Sequence, residues 1–219
     1  MTLEDPVEYH IPLIRQSNIK SDIGMDFATG IKAILRQDPD VILVGEIRDK
    51  ETAITAIQAA MTGHQVYSSL HTNDALSAIP RLMNIGVPNY LMSGSLIGII
   101  AQRLARKLCN HCKKEMTIED HEKKLLGSRF VVVNKLYRAV GCDKCSGSGY
   151  KGRTAISEIL PFDRELDEMV VQGQTRKDML KYALNNGFIP MVEDGLEKVV
   201  SGVIDLKELI RVVDLTERM

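Results

Sequence analysis

Asp40-Val-Ile-Leu-Val-Gly-Glu-Ile-Arg-Asp49 decides the fold. Its aliphatic run is too short for a helix and carries no polar break, so it reads as a strand buried on both faces, inside a parallel sheet. A helical pattern follows at once, with Asp49 as N-cap, Met61 near the end and Gly63 as the stop. Gln65-Val-Tyr-Ser-Ser-Leu70 is a second strand. A helix from Asp26 to Gln37 precedes the first, with Phe27, Ile31, Ile34 and Leu35 along one face. Another, from Asp74 to Ile85, follows the second and ends at Gly86. Strands alternating with helices imply an α/β domain built on a parallel sheet.

Outward from this core the chain changes character. Residues 105–155 are basic, turn-rich and hold all four cysteines, as two Cys-x-x-Cys pairs, Cys109/Cys112 and Cys142/Cys145. Each pair suits a tight knuckle, with Gly141, Ser146 and Gly147 supplying turn chemistry. Four thiolates close a tetrahedral zinc shell, so the ion is expected to hold structure with no open catalytic position. Two disulfides or a redox dithiol are the competing readings. A chain without an export signal disfavours the first, and the presence of two pairs disfavours the second. His111, inside the first pair, is expected to face solvent. From residue 156 to 219 the pattern is amphipathic and helical, near 163–172, 175–185, 191–201 and 206–213. The expected organisation is therefore an α/β core over 1–104, a tetracysteine insert over 105–155 and a closing helical bundle over 156–219.

Composition narrows the class. With 219 residues, 44% apolar and 26% charged, the chain is neither disordered nor fibrous. A net charge of −1 gives no global field toward nucleic acid or an acidic bilayer. Arg103, Arg106, Lys107, Lys113 and Lys114 cluster beside the first knuckle, but aromatic residues for base stacking are few at 5%, so a solvated face is expected rather than a nucleic-acid site. No apolar run approaches the ~18 residues of a membrane span. The opening Met1-Thr2-Leu3-Glu4-Asp5 has no apolar core of a signal peptide, which points to the cytosol.

Three clusters are candidates for chemistry. Glu46 ends a buried strand, where α/β proteins bind ligands. In a nucleoside triphosphatase an acid here holds magnesium through water or polarises the attacking water. Glu4, Asp5 and Glu8 surround Pro6, and three acids on a stiff turn repel one another unless a cation sits among them. His71 closes the second strand, after Thr62-Gly63-His64 and beside Ser69, Thr72, Asn73 and Asp74, where it could meet a phosphate. Gly147-Ser-Gly149-Tyr-Lys-Gly152 matches a dinucleotide-binding pattern, but it follows a cysteine knuckle and precedes a strand-like stretch, the reverse of the required context.

Taken in order, Thr2-Leu-Glu-Asp-Pro-Val-Glu8, Arg36-Gln-Asp-Pro-Asp-Val-Ile-Leu-Val-Gly-Glu-Ile-Arg-Asp49, Thr62-Gly-His64, Ser69-Leu-His-Thr-Asn-Asp74, Gln102-Arg-Leu104, the two cysteine pairs and Pro190-Met-Val-Glu-Asp-Gly-Leu196 resemble the type II secretion and type IV pilus assembly ATPases over nearly the whole chain. The resemblance implies a partial RecA-like P-loop NTPase domain. It makes Glu46 the Walker B glutamate, Glu4, Asp5 and Glu8 an aspartate box near magnesium, and His71 a sensor of the γ-phosphate. It also implies Zn2+ on the four cysteines, and ATP and Mg2+ in the full-length protein. By the same resemblance the full-length protein is a homo-hexamer, cytoplasmic and peripheral to the inner membrane, working with inner-membrane platform proteins. The tetracysteine insert matches the secretion and pilus-extension branch rather than retraction motors. Arg36, Arg48 and Arg81 are available as arginine contacts. A Gly-x-x-x-x-Gly-Lys-Ser/Thr loop is not found in these residues. Lost phosphate contacts cost roughly 1.5–3 kcal/mol each, so the chain is expected to be a C-terminal portion unable to hydrolyse ATP alone. The alternative is a non-catalytic, zinc-stabilised interaction module of the same machinery.

Overall fold

The computed structural model describes residues 1–215. In chain order the elements begin β1 (Thr2–Glu4), β2 (Gln16–Asn18), α1 (Phe27–Ile34), β3 (Val41–Val44), α2 (Lys50–Met61), β4 (Gln65–Ser68), α3 (Ala78–Ile85) and α4 (Asn89–Met92). They continue β5 (Gly98–Leu108), β6 (Lys114–Thr117), α5 (Asp120–Leu126), β7 (Lys135–Arg138) and β8 (Tyr150–Pro161). The last four are α6 (Arg164–Val171), α7 (Arg176–Asn185), α8 (Met191–Val200) and α9 (Leu206–Val212). These form two compact units, Met1–Ile99 with Leu160–Asn185, and Ile100–Ile159 with the chain from Asn186 on.

The first unit is the expected parallel α/β structure. Its sheet has the order β2-β1-β3-β4, and every neighbouring pair is parallel. Asp26 and Asp49 start α1 and α2 by accepting from the backbone N–H groups of Thr29 and Thr52, as side-chain N-caps do. Leu3, Ile31, Ile42, Val44, Ala53 and Ile79 fill the core. Two expectations change. The run at β3 is not buried on both faces: Ile42 and Val44 are fully buried, while Val41 and Leu43 are 46% and 38% exposed. The alternation means that one face of the strand is covered and the other is open in the described residues. The acidic opening is also more than a turn, because Thr2–Glu4 is an interior strand, paired with β2 on one side and β3 on the other.

The second unit holds the β5–β8 ribbon, the antiparallel pair β6–β7, and helices α5, α8 and α9. The expected closing bundle is therefore not one body. All four helices form close to where they were read, but α6 and α7 belong to the first unit and α8 and α9 to the second. The physical reason lies in their partners: Asn89 on α4 donates to the Val170 carbonyl of α6, whereas the backbone N–H of Met191 on α8 donates to Glu158 of β8.

A charged knot ties β5 to α9. Glu208, fully buried, accepts from the Arg106 backbone N–H at 2.8 Å and from the guanidinium groups of Arg106 and Arg211. Arg106 also lies over the Tyr150 ring at 4.1 Å, and the Tyr150 hydroxyl donates to Asp205, the N-cap of α9. Lys113 donates to the Gly202 carbonyl and sits over Tyr137. Arg106 and Lys113 of the basic cluster are thus committed to internal contacts, where a solvated face was expected. Burial alone would raise the Glu208 carboxyl, but the Arg211 and Arg106 hydrogen bonds outweigh it and bring it down to about 2. A carboxyl lowered in the folded state stabilises fully above its unfolded value near 4.5 and loses that contribution as pH falls toward 2. We expect Glu208→Ala to destabilise the protein by about 1–3 kcal/mol at neutral pH, as for hydrogen bonds to charged groups. The difference from wild type should shrink below pH 4.5, as measured by thermal melts across that range.

Candidate functional site

All strands of the first sheet run the same way, so their C-terminal ends share one edge, and ligands of α/β sheets gather there. Glu4 ends β1, Glu46 follows β3 by two residues, and His71 follows β4 by three. The register is carried past the strand ends. Gly45 N–H donates to the Leu3 carbonyl at 2.8 Å, Ile47 N–H to the Ser69 carbonyl at 3.0 Å, and the Ser69 hydroxyl to the Gly45 carbonyl at 2.6 Å. Gly45 permits this approach, since a Cβ there would stand 3.1 Å from the Leu3 carbonyl oxygen.

The stitching brings Glu46 and His71 together. His71 Nε2 lies 3.1 Å from Glu46 Oε2. Arg48 completes the group: its Nε donates to Oε2 and its Nη2 meets Oε1, each at 2.5 Å. The Glu46 side chain is only 14% exposed, against 64% for Arg48 and 79% for His71. The Arg48 hydrogen bond, more than His71, holds the Glu46 carboxyl below the ordinary range, against the opposing effect of burial. Sequence reasoning gave Arg48 no role beside Glu46. The signal was present in the alternation, because residues two apart on an extended stretch share a side, and Ile47 between them is buried.

The other candidates divide. Glu4 accepts from the Thr2 hydroxyl at 2.6 Å and from Gln16 Nε2 at 2.9 Å, which lowers its carboxyl. Asp5 lies near enough to Arg48 to reinforce its charge. Glu8 is exposed in the following loop, and no hydrogen bond or ion pair joins it to Glu46 or His71 among the described residues. His64 closes α2 by contacting the Ala59 carbonyl at 2.9 Å, and Asp74 caps the turn at Ser77 and pairs with Arg176. These two polar residues of the histidine segment are structural.

The four cysteines form a second centre, in the second unit. Their sulfur atoms all lie within 4.8 Å of one another, with Cys109–Cys142 at 3.9 Å, and Cys112–Cys145 and Cys142–Cys145 at 3.8 Å. A metal–sulfur bond of about 2.3 Å in a tetrahedron requires sulfurs roughly 3.8 Å apart, so the set fits one ion. His111 is exposed and outside the cluster. Backbone N–H groups of Gly141, Cys142 and Gly149 point at sulfur, at 3.3, 3.2 and 3.2 Å. Burial would raise the Cys145 thiol, but the donors from Cys142 and Gly149 bring it down to about 6, while burial pushes Cys112 up to about 11. The glycine pattern 147–152 is accounted for here: it closes the knuckle and opens β8. Gly141 has φ +118°, and a Cβ on it would lie 2.5 Å from the Gly147 carbonyl oxygen. Gly141→Ala should cost about 1–3 kcal/mol in backbone strain alone and weaken metal retention, measured by competition with a chromogenic chelator.

Comparison with known proteins places the chain in a family. The family model of type II/IV secretion system proteins matches residues 1–211. The type II secretion system protein E of Pseudomonas aeruginosa is 44% identical over 213 residues, covering 97% of this chain and 42% of that protein. The type IV pilus assembly ATPase PilB of Thermus thermophilus is 44% identical over 211 residues, covering 95% of this chain and 24% of that protein. Among solved structures, the pilus retraction motor PilT with bound ADP aligns with a TM-score of 0.69 and 28% identity, covering all of this chain and 53% of that one. The chain thus spans less than half the length of these curated relatives. It belongs to the type II/IV secretion system protein family.

Proposed function

We propose that the chain is the part of a secretion or pilus-assembly motor that carries its hydrolytic acids and a structural zinc. Glu46 orients or activates water, His71 responds to the γ-phosphate, and Glu4, Asp5 and Glu8 face magnesium. ATP binds through a P-loop outside these 219 residues, in a RecA-like domain of a hexamer working at the cytoplasmic face of the inner membrane with platform proteins. No helix of the described residues is long and apolar enough to cross a membrane. The observation that carries this reading is the pairing of Glu46 and His71 at the shared sheet edge. Cys109, Cys112, Cys142 and Cys145 hold Zn2+, whose chemistry here is to fix four thiolates and cross-link the knuckles. ATP hydrolysis measured on a polypeptide that adds the P-loop segment, with and without Glu46→Gln, tests the motor reading. Hydrolysis that is indifferent to Glu46 would reject it.

A further inference from the structure

We propose that Arg48 masks Glu46 and releases it only when a polyphosphate draws the guanidinium away. This rests on the reading of Glu46 as the water-directing acid. A carboxylate offers about four lone-pair positions. Arg48 occupies one on each oxygen, and His71 takes a further one on Oε2. A carboxylate committed in this way has little left to direct a water.

The pairing is asymmetric in exposure. Glu46 is mostly covered, and Ile47 beside it is buried and pinned through its N–H to Ser69. Arg48 stands largely in solvent. The mask is thus an exposed cap on a covered base. A guanidinium fork fits phosphate as well as carboxylate, so an anion with more charge than one carboxylate competes for it directly. Asp5 gives the displaced guanidinium a second anionic neighbour on the same edge.

Arginine Nε–H and histidine ring NMR signals of this chain, titrated with tripolyphosphate, test the idea. The Arg48 signal is identified by its loss in Arg48→Lys. It should exchange with water roughly tenfold more slowly than signals of exposed arginines, and that protection should vanish in Glu46→Gln. Saturating tripolyphosphate should move the Arg48 signal and the His71 ring signals together. In Arg48→Lys, which cannot make a planar fork, the His71 response should fall by more than about half. An unprotected Arg48, a fork that tripolyphosphate leaves intact, or an equal His71 response in Arg48→Lys overturns the proposal. Each of these outcomes leaves the hydrolysis experiment with Glu46→Gln standing, so failure of the mask and failure of the motor reading are told apart.

Discussion

Removing the proposed zinc from the cysteine centre, or replacing Cys145 with serine, is expected to abolish the ordered structure of the two knuckles, Cys109–Lys113 and Gly141–Gly149. Hydrogen bonds that shape the knuckles converge on the sulfurs: Gly141, Cys142 and Gly149 all donate to them. The elements nearby are small, since β6 and β7 have four residues each and all of β6 is exposed. Little apolar burial lies at the knuckles themselves to hold them once the shared cation is gone and sulfurs such as that of Cys112 take up protons. Structural zinc sites contribute on the order of 10 kcal/mol to small domains, comparable to the whole stability of an ordinary domain. Elemental analysis of reduced protein should find one zinc per chain. Addition of a strong chelator should erase the dispersed amide signals of Cys109–Lys113 and Gly141–Gly149. Persistence of those signals without metal would refute the structural assignment.

Glu46→Gln, in a polypeptide restored to a full nucleotide site, should lower the turnover of ATP by about 10²–10⁴-fold, the usual contribution of a positioned acid or base. Nucleotide affinity should change little, because the amide keeps the size of the acid and phosphate contacts are made elsewhere, while it loses the basicity and the fork with Arg48. Single-turnover hydrolysis together with equilibrium binding separates the two effects. His71→Ala should act on the same step but less severely, since its ring reaches Glu46 through a single contact at 3.1 Å.

The first unit was legible because its signals were local. Asp26 and Asp49 cap helices where their positions suggested, and the β3 and β4 runs pair as parallel neighbours. The pairing of Glu46 with His71 followed from placing each beyond a parallel strand. Three features were hidden. Thr2–Glu4 is too short for any period to show, and its place inside the sheet depends on partners far along the chain. In β5 the buried residues Ala101, Ala105 and Leu108 recur at helical spacing, so a long strand carries the pattern of a helix. The division of the last four helices depended on which surface each one met, and amphipathicity alone says only that a helix will be covered.

The chain passes from one unit to the other within β5, returns within β8, and crosses again after α7. Neither body can therefore be isolated by a single cut. A stop codon after Asn185 would leave every segment of the first unit in place yet take Leu196, Val199 and Leu209 from the core of the second. A start at Ile100 would do the reverse harm, retaining α6 and α7 without the sheet they belong to. Engineers wishing to study the cysteine-bearing half alone must excise 160–185 and rejoin the ends, and nicking by a protease near 186 should first release α8 and α9 rather than a freestanding domain.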